Sequence, residues 1–340
     1  MKKYGILIVI FLLLAAGYGL YLQHGNALQD TGDREEEKGH YPVTISNYTS
    51  SGEAKDYIFT RRPQRVAVDR SNNLEILLAL GLSDRISMVS VRHGNESYEE
   101  MEAAYGEEMA KIPGIHNTTT YEDFDMETVL ASQPELIMGW QSTFGKSRLR
   151  STGWWNEKGI NTYISPSANS ILERRTVDDE IQFIDDVGRI FDKKEQTDAM
   201  IGEIRKEIKR VREETEGKPA PRVVVMELRG KDISNYSDRT TAGNMVTELG
   251  GRMLLDSRRI GREDLLEADP DVIFVVYLES RDKERVLDFF RKPEVSSMKA
   301  VQGNRIYFLQ LDNIYCPGVR TIKGLKLIRD GMYPELKGKS

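Results

Sequence analysis

Cysteine and histidine are scarce in this 340-residue chain, which contains one cysteine, Cys316, and four histidines. A single cysteine excludes an intrachain disulfide, a thiolate zinc cluster and an iron–sulfur centre. His24 and His40 precede the part of the chain that is expected to fold, and no two histidines have the i, i+3 or i, i+4 spacing of a helix-borne metal site. The sequence therefore predicts no site for a bare metal ion and no intrinsic cofactor.

An excess of basic residues is also missing, because the formal net charge is -6 and no arginine-rich tract is present. Neutralising phosphates requires clustered Lys and Arg, so we expect no nucleic-acid partner. The chain lacks a Gly-x-Gly-x-x-Gly fingerprint, a Walker A loop, a Gly-x-Ser-x-Gly elbow and a His-Glu-x-x-His helix. These absences favour a binding protein over an enzyme, and a two-lobed extracytoplasmic hydrolase that uses paired carboxylates is the alternative from another class.

What is present begins with Lys2 and Lys3, followed by an uncharged apolar run over residues 5–22. This pattern predicts a signal or anchor segment over residues 1–23, with the rest of the chain outside the cytoplasmic membrane. Signal peptidase could cleave near the small residues 15–17, or the segment could stay as an uncleaved anchor. No cysteine follows the run, so lipid attachment there is excluded, and residues 24–40 are typical of a polar tether.

Short apolar runs alternate with helical patterns from residue 41 onward. Strands are predicted at residues 41–48, 57–59, 66–68, 86–91, 136–140, 162–164, 223–226, 272–277 and 306–309. Such alternation is typical of mainly parallel sheets covered on both faces. We therefore expect an α/β protein with two Rossmann-like lobes, over residues 41–191 and 217–340.

A single long helix is predicted to join the lobes over residues 192–216. Asp192 and Glu195 have the spacing of a capping box, and an apolar stripe follows from Ile201 to Val211. About 22 helical residues span roughly 33 Å, which is enough to connect two lobes and to limit their relative motion.

Seven phrases carry a family resemblance in their order and spacing: PVTISNY, RRPQRVAVD with NNLEILLALGLSDRI, METVLASQPELIMGW, WWNEKGINTYIS, DLLEADPDVIFV, MKAVQGNRIYFL and GVRTIKGLKLIRDGMYPEL. Over about residues 41–338 the chain resembles the iron-siderophore, haem and cobalamin class of periplasmic substrate-binding proteins. The resemblance implies two lobes joined by one helix, a ligand in the cleft between them, and an ABC permease and its ATPase as partners. We expect a monomer; a tethered scavenger or sensor with the same fold is the alternative to an importer subunit.

Ligands of open parallel sheets bind beyond the carboxyl ends of the strands, and these ends present arginine and aromatic residues. Arginine suits an anionic chelate, and aromatic faces suit its flat body. His93 could also be an axial haem ligand. The predicted ligand-binding residues are Arg92, His93, Trp140, Arg229, Tyr236, Arg239 and Tyr315. We expect a ferric siderophore, with haem or cobalamin as alternatives.

The resemblance further implies that one exposed glutamate on each lobe docks to the permease. Glu75 matches the position in the first lobe. In the second lobe Glu248 lies one residue closer to Gly250-Gly251 than the pattern requires, and one residue rotates a helical side chain by about 100°.

Overall fold

The computed structural model describes residues 39–115, 124–170, 172–230 and 232–338. The predicted signal or anchor segment and most of the predicted tether lie outside these ranges. No helix in the described ranges combines the length and the apolar character that crossing a bilayer requires.

The first lobe contains an antiparallel hairpin and a fully parallel four-stranded sheet in the order β4-β3-β5-β6. The hairpin strands are β1 Val43–Tyr48 and β2 Ala54–Phe59. The sheet strands are β3 Val66–Asp69, β4 Ile86–Ser90, β5 Leu136–Gly139 and β6 Asn161–Ile164. Nearly every residue of the sheet strands is buried, as expected for a parallel sheet with both faces covered. The strands predicted for this lobe are therefore present, with ends that move by one to three residues.

Five helices accompany this sheet in the described residues. They are α1 Ser71–Ala79, α2 Glu96–Met109, α3 Met126–Ala131, α4 Thr152–Asn156 and α5 Val177–Ile190. Thr176 caps α5 through a reciprocal capping box with Asp179, which fixes where this amphipathic helix begins. Helix α5 packs against β1, and against the connecting helix described next.

The predicted connecting helix is present as α6, Lys194–Glu214, but its start differs from the expectation. Lys193, not Asp192, is the N-cap residue, and no side chain caps it. Asp192 has a left-handed backbone with φ 53° and its carboxylate lies 3.1 Å from His40 Nδ1 and 3.6 Å from an Arg62 nitrogen. Opposite charge therefore holds Asp192, so the predicted capping box does not form.

The second lobe is built on a six-stranded mixed sheet. Its strands are β7 Arg222–Arg229, β8 Asp232–Asn235, β9 Arg252–Met253, β10 Arg259–Ile260, β11 Val272–Tyr277 and β12 Ile306–Gln310. Strands β9, β11 and β12 run parallel within the sheet, whereas β8 is antiparallel to β7 and β10 is antiparallel to β8. The antiparallel edge is absent from the sequence prediction.

Helices cover both faces of the second sheet. They are α7 Thr241–Glu248, α8 Arg262–Ala268, α9 Asp282–Phe290, α10 Lys299–Gln302 and α11 Thr321–Met332. Helix α11 packs on the connecting helix α6, where Arg329 donates to the buried carboxylate of Glu207. The connecting helix thus contacts α5 of one lobe and α11 of the other.

One apolar core runs through both lobes. It joins β3 residues such as Val68, the α6 stripe including Ile204 and Val211, and Val225 and Phe274 of the second sheet. Two smaller clusters cover the outer faces of the sheets. The fold class expected from the sequence, two α/β lobes joined by a long helix, is confirmed.

Candidate ligand-binding cleft

A pocket lies where the carboxyl ends of β3 and β5 face the segment that follows β12. It encloses about 320 Å³ of empty space, part of which is open to solvent at its mouth. Its walls include Arg70, Trp140, Tyr315 and Arg320. This is the position at which open α/β sheets bind ligands, and we call it the cleft pocket.

The wall from the first lobe is built around Trp140, the residue directly after β5. Its indole Nε1 donates to Asn72 Oδ1 over 3.0 Å, which fixes the ring orientation. The Arg70 guanidinium carbon lies 4.7 Å from the ring centroid, a distance typical of a cation–π contact. Tyr315 meets the same ring edge-on at 5.5 Å between centroids. The Trp140 ring therefore contacts both the Arg70 cation and the Tyr315 phenol.

The charge of this wall is set by Asp69, at the end of β3, and its arginine neighbours. Asp69 is completely buried and accepts from Arg148 over 3.1 Å and from Thr143. Arg70 Nε lies 3.5 Å from the same carboxylate. Two cations thus face one buried anion, and of these two cations Arg70 lines the pocket, which the carboxylates of Glu75 and Asp312 also line.

The wall from the second lobe is a loop over residues 311–320, which joins β12 to α11 and which we call the cleft loop. Tyr315 projects from it with 36% of its surface exposed. Partial burial raises the pKa of the Tyr315 phenol, while the charges of Arg175, Arg258 and Arg70 act in the opposite direction. The phenol is therefore protonated at neutral pH, and the positive charges of these three arginines act on it. Such a wall favours an anionic ligand.

The cleft loop is held by the first lobe at Gly318. The Gly318 N–H donates to the buried Glu180 carboxylate over 2.8 Å. Gly318 has φ 53°, and a Cβ at this position would lie 2.9 Å from Phe183. Burial raises the pKa of Glu180 to about 7. Glycine is thus required here by both backbone conformation and close packing.

Cys316 also belongs to the cleft loop but is buried. Burial raises the pKa of its thiol, and the nearby Glu180 raises it further. A neutral thiol is a poor nucleophile and a poor metal ligand. In the described residues no group of three or more His, Cys, Asp or Glu side chains is arranged to hold a metal ion.

Charged residues cross the cleft beside the pocket. Arg320 donates from Nε to Glu75 over 2.6 Å, from Nη1 to Glu100 over 2.8 Å and from Nη2 to the Ser97 carbonyl over 2.9 Å. Lys323 donates to the same Glu100 carboxylate over 2.6 Å. We call these five residues the interlobe clasp. Burial raises the pKa of Glu75 more than the Arg320 charge lowers it.

Two of the predicted ligand-binding residues, Trp140 and Tyr315, line the cleft pocket. Arg92 lies at the cleft but donates to Glu279 of the opposite lobe over 2.5 Å, so it joins the lobes at the rim. His93 does not line the pocket, and its ring stacks on Tyr98 with 4.4 Å between centroids. Arg92 therefore contacts the opposite lobe, and His93 packs on Tyr98 within the first lobe.

The other three predicted residues, Arg229, Tyr236 and Arg239, do not line the cleft pocket, and their role in binding stays a prediction. Tyr236 is 8% exposed and donates to Glu227 over 2.8 Å within the second lobe. Arg229 pairs with the same Glu227 over 2.9 Å and lines a separate surface pocket with Arg258 and Arg259. Arg239 is exposed on the turn before α7. Strand β8 turns back on β7 and carries Arg229 and Tyr236 away from the pocket, whereas the Arg239 carbonyl accepts from the Arg175 N–H of the first lobe over 2.9 Å.

Both predicted docking glutamates form ion pairs with arginine in the structure. Glu75 is only 7% exposed, because Arg320 holds it inside the cleft. Glu248 accepts from Arg212 of the connecting helix over 2.6 Å. An exposed carboxylate was expected at position 75, and the described conformation does not provide one. Docking itself stays a prediction.

Sequence reasoning missed Arg320 and Glu180. Arg320 belongs to the phrase GVRTIKG, so its place at the start of α11 was readable, although its contact with residue 75 was not. Glu180 lies in a helix whose other polar residues, apart from the buried Asp186, are exposed or partly exposed. The buried Glu180 interrupts that pattern on the apolar face, which is the one available signal.

Residues 66–312 match the family model described as periplasmic binding protein. The chain belongs to the periplasmic binding protein family. This family assignment confirms the resemblance drawn from the seven phrases. Among relatives of known structure, a periplasmic binding protein from Veillonella parvula DSM 2008 is 28% identical, with 87% of this chain and 92% of that chain covered and a TM-score of 0.78.

Two further relatives extend this comparison. The Bacillus subtilis (strain 168) protein YvrC, an uncharacterized ABC transporter substrate-binding lipoprotein, is 20% identical over 319 residues, which cover 92% of each chain. A structure from Saccharomonospora viridis DSM 43017, described as an ABC-type Fe3+-hydroxamate transport system, has a TM-score of 0.66 and 21% identity and covers 86% of this periplasmic binding protein and all of its own chain. The latter likeness shows the shared fold.

Proposed function

We propose that this periplasmic binding protein captures a ferric siderophore, or a related anionic metal chelate, and delivers it to the permease of an ABC importer. The names of two relatives, an ABC transporter substrate-binding lipoprotein and an Fe3+-hydroxamate transport system, support the importer role and the ligand class. The permease and its ATPase are then the partners.

The observation that carries the proposal is the chemistry of the cleft pocket. Arg70 and Arg320 line it together with the aromatic faces of Trp140 and Tyr315. Guanidinium groups bind carboxylate and catecholate oxygens through charge-assisted hydrogen bonds, and aromatic rings pack on the flat organic part of a chelate. In the described conformation the pocket has room for little more than a water molecule, so a chelate of siderophore size requires the lobes to separate.

The same pocket supports binding without catalysis. The one thiol on its wall, Cys316, is buried and has a raised pKa. Glu75 lines the pocket, and its carboxylate pairs with Arg320 across the cleft. We therefore propose a solute-binding role with no chemical step.

The proposed location is the outer face of the cytoplasmic membrane, with the apolar segment over residues 5–22 as the anchor or signal. The Bacillus subtilis relative is named a lipoprotein. In this chain the one cysteine, Cys316, is buried in the cleft loop, where it cannot accept a lipid. The apolar segment would thus replace lipid attachment.

Ligand titration of the full chain in mild detergent tests the proposal. Ferric enterobactin, ferrichrome, haem and cyanocobalamin would each be added while tryptophan fluorescence is recorded, with the iron-free siderophores as controls. We expect saturable quenching by a ferric siderophore, reduced in Trp140→Phe but retained in Trp154→Phe. Saturable haem binding with a Soret shift that disappears in His93→Ala would overturn the siderophore assignment, and chemical turnover of any bound ligand would overturn the binding role.

A further inference from the structure

We infer that Arg320 is an exchangeable counter-ion, which closes the two lobes when the pocket is empty and transfers its hydrogen bonds to an anionic ligand when one binds. This inference rests on the proposed function and assigns to one residue the coupling between anion capture and lobe movement. The acidic members of the interlobe clasp would then act as an internal substitute for the ligand.

The position of Arg320 allows both states. It is 7% exposed, it lines the cleft pocket, and it begins helix α11 of the second lobe. Its partners Glu75 and Glu100 are on α1 and α2 of the first lobe. A guanidinium that is shared between a pocket and the opposite lobe becomes available to a ligand when the lobes separate, and helix α11, which carries it, need not change its own conformation.

The hydrogen-bond geometry shows what the ligand must replace. Three separate nitrogens of Arg320 donate to two carboxylates and one carbonyl at 2.6 to 2.9 Å. A chelate with several anionic oxygens offers acceptors of the same kind in a compact array. Because one set of charge-assisted hydrogen bonds replaces another, the exchange avoids leaving the buried arginine without a partner.

The two carboxylates released by this exchange, those of Glu75 and Glu100, have different surroundings once Arg320 has left them. Glu100 keeps Lys323 as a cationic partner, and 40% of its side chain is exposed to water. Glu75 is buried, and burial already raises its pKa, so it can take up a proton or move into solvent as the lobes separate. The two carboxylates can therefore give up Arg320 without becoming isolated buried charges.

Further polar contacts place the clasp in a larger contact between α2 and the second lobe. Glu96 at the start of α2 accepts from Tyr277 over 2.9 Å and from Ser280 over 3.2 Å, and Lys283 lies 3.4 Å away. Arg92 pairs with Glu279 at the same rim. Loss of the clasp would therefore loosen one side of the cleft, while α6 keeps the lobes connected.

Competition between the clasp carboxylates and the ligand for Arg320 should make binding selective for anionic ligands. The clasp lowers the fraction of molecules whose pocket is open, and this lowers the apparent affinity for every ligand. An anionic chelate recovers part of this loss through Arg320, whereas a neutral chelate does not. The arrangement therefore favours chelates of high negative charge.

The test compares Glu75→Gln/Glu100→Gln, which keeps Arg320 in place, with the matched control Glu335→Gln. Glu335 forms an exposed ion pair with Lys218 within the second lobe and does not cross the cleft. Spin labels on Glu127→Cys and Lys326→Cys, which are exposed on opposite lobes, report the interlobe distance by pulsed electron spin resonance. Cys316 is buried and would stay unlabelled.

Without ligand, we expect the double variant to populate a longer interlobe distance, with no change in Glu335→Gln. With triply anionic ferric enterobactin, the double variant should bind about 3- to 10-fold more tightly, because the open fraction rises. Arg320→Gln should bind this probe at least about 10-fold more weakly, because the cation that meets the ligand is lost. It should bind neutral ferrichrome about 3- to 10-fold more tightly, because this variant also opens the clasp. Circular dichroism of each variant confirms that it is folded.

An unchanged interlobe distance in the double variant would overturn the clasp, whether or not any chelate binds. Equal weakening of both probes by Arg320→Gln would show a structural role and would overturn the exchange with an anionic ligand. Failure of both probes to bind the wild-type chain would overturn the proposed function and the exchange, and the ligand-free distances would still decide whether the clasp exists.

Discussion

The two sheets deliver side chains to the cleft by different routes. In the four-stranded sheet of the first lobe every strand is parallel, and Arg70 and Trp140 enter the pocket directly after β3 and β5. In the second lobe β7 is followed by the antiparallel strand β8, and the pocket residues come from the cleft loop after β12. The rule that ligands bind beyond the carboxyl ends of strands therefore applies to parallel strands and fails at a hairpin.

The register of the hairpin explains the difference. Arg229 at the end of β7 pairs with Asp232, and Met226 pairs with Asn235, so the chain reverses immediately after β7. Tyr236 then returns beside β7 and donates to Glu227 of that strand. A strand end that turns back on its own sheet supplies edge and core residues, and only a crossover connection supplies the cleft.

The largest effect is expected at Glu180, through which the first lobe holds the cleft loop. Burial raises its pKa from 4.5 to about 7, so the folded state holds a proton that the unfolded state releases above pH 4.5. This contribution to stability is complete below pH 4.5 and is lost as the pH rises to about 7, a change of about 3 kcal/mol. Glu180→Gln should remove that part of the pH dependence in urea unfolding.

The Glu180 comparison needs two references. Asp186 also has a pKa raised to about 7 by burial, so its own loss of stability over the same pH window should persist in Glu180→Gln. Glu335→Gln, at an exposed ion pair, should follow the wild-type curve. Identical pH dependence in the wild type and Glu180→Gln would show that the anchor of the cleft loop does not titrate.

A smaller effect is expected for Trp140, the strand-end residue of the parallel sheet. Trp140→Ala removes the aromatic face and the cation–π partner of Arg70, so affinity for the ferric chelate should fall by about 10- to 100-fold. Isothermal titration calorimetry is the measurement, because the variant loses the fluorescent reporter. Trp154→Ala is the matched control, since Trp154 also has a cation over its ring, that of Lys158 at 4.4 Å, but lies outside the pocket. Equal losses of chelate affinity in Trp140→Ala and Trp154→Ala would show that the position of Trp140 at the strand end gives it no particular role in binding.

We expect Tyr236 to contribute to the free energy of unfolding but not to chelate affinity. Tyr236→Phe deletes the hydrogen bond to Glu227 and should reduce the free energy of unfolding by about 1 kcal/mol in urea titrations. Chelate affinity should stay within about twofold, because the side chain is in the core and not at the cleft. A tenfold loss of affinity with unchanged stability would return this residue to the binding site.

The smallest effect is expected at Arg229 on the hairpin. Arg229→Gln removes an exposed partner of Glu227 and should change unfolding free energy by less than about 0.5 kcal/mol and affinity by less than about twofold. Arg70→Gln in the first lobe should weaken chelate binding by about tenfold in the same calorimetric assay. If Arg229→Gln proved the more damaging of the two, the antiparallel edge would have to belong to the site.

Local sequence patterns were sufficient for the elements and for two pocket residues. The apolar runs marked the central strands, the stripe from Ile201 to Val211 marked the connecting helix, and Trp140 follows a strand whose end was readable. The short edge strands β8 and β10 were missed because their sequences, DISN and RI, lack the apolar run that marked the central strands. Their antiparallel pairing is what moved Arg229 and Tyr236 out of the cleft.

Contacts across the cleft were beyond local patterns. Glu75 and Arg320 are separated by 245 positions, and a helix position that looks exposed becomes buried when the other lobe covers it. The Asp192 capping box was also wrong, because Asp192 has a left-handed backbone before the helix and its carboxylate lies beside the distant residues His40 and Arg62. Charge pairing at long sequence separation was thus the main source of error.

The apolar core that continues from the first sheet through α6 into the second sheet has a consequence for how the molecule melts. Neither lobe can lose its packing on α6 without exposing part of the core that it shares with the other. The two lobes should therefore unfold in one cooperative step, with a single calorimetric transition whose enthalpy equals the van't Hoff value. A protease that attacks unfolded chains would then find the whole molecule intact or the whole molecule open, with no stable half-folded lobe.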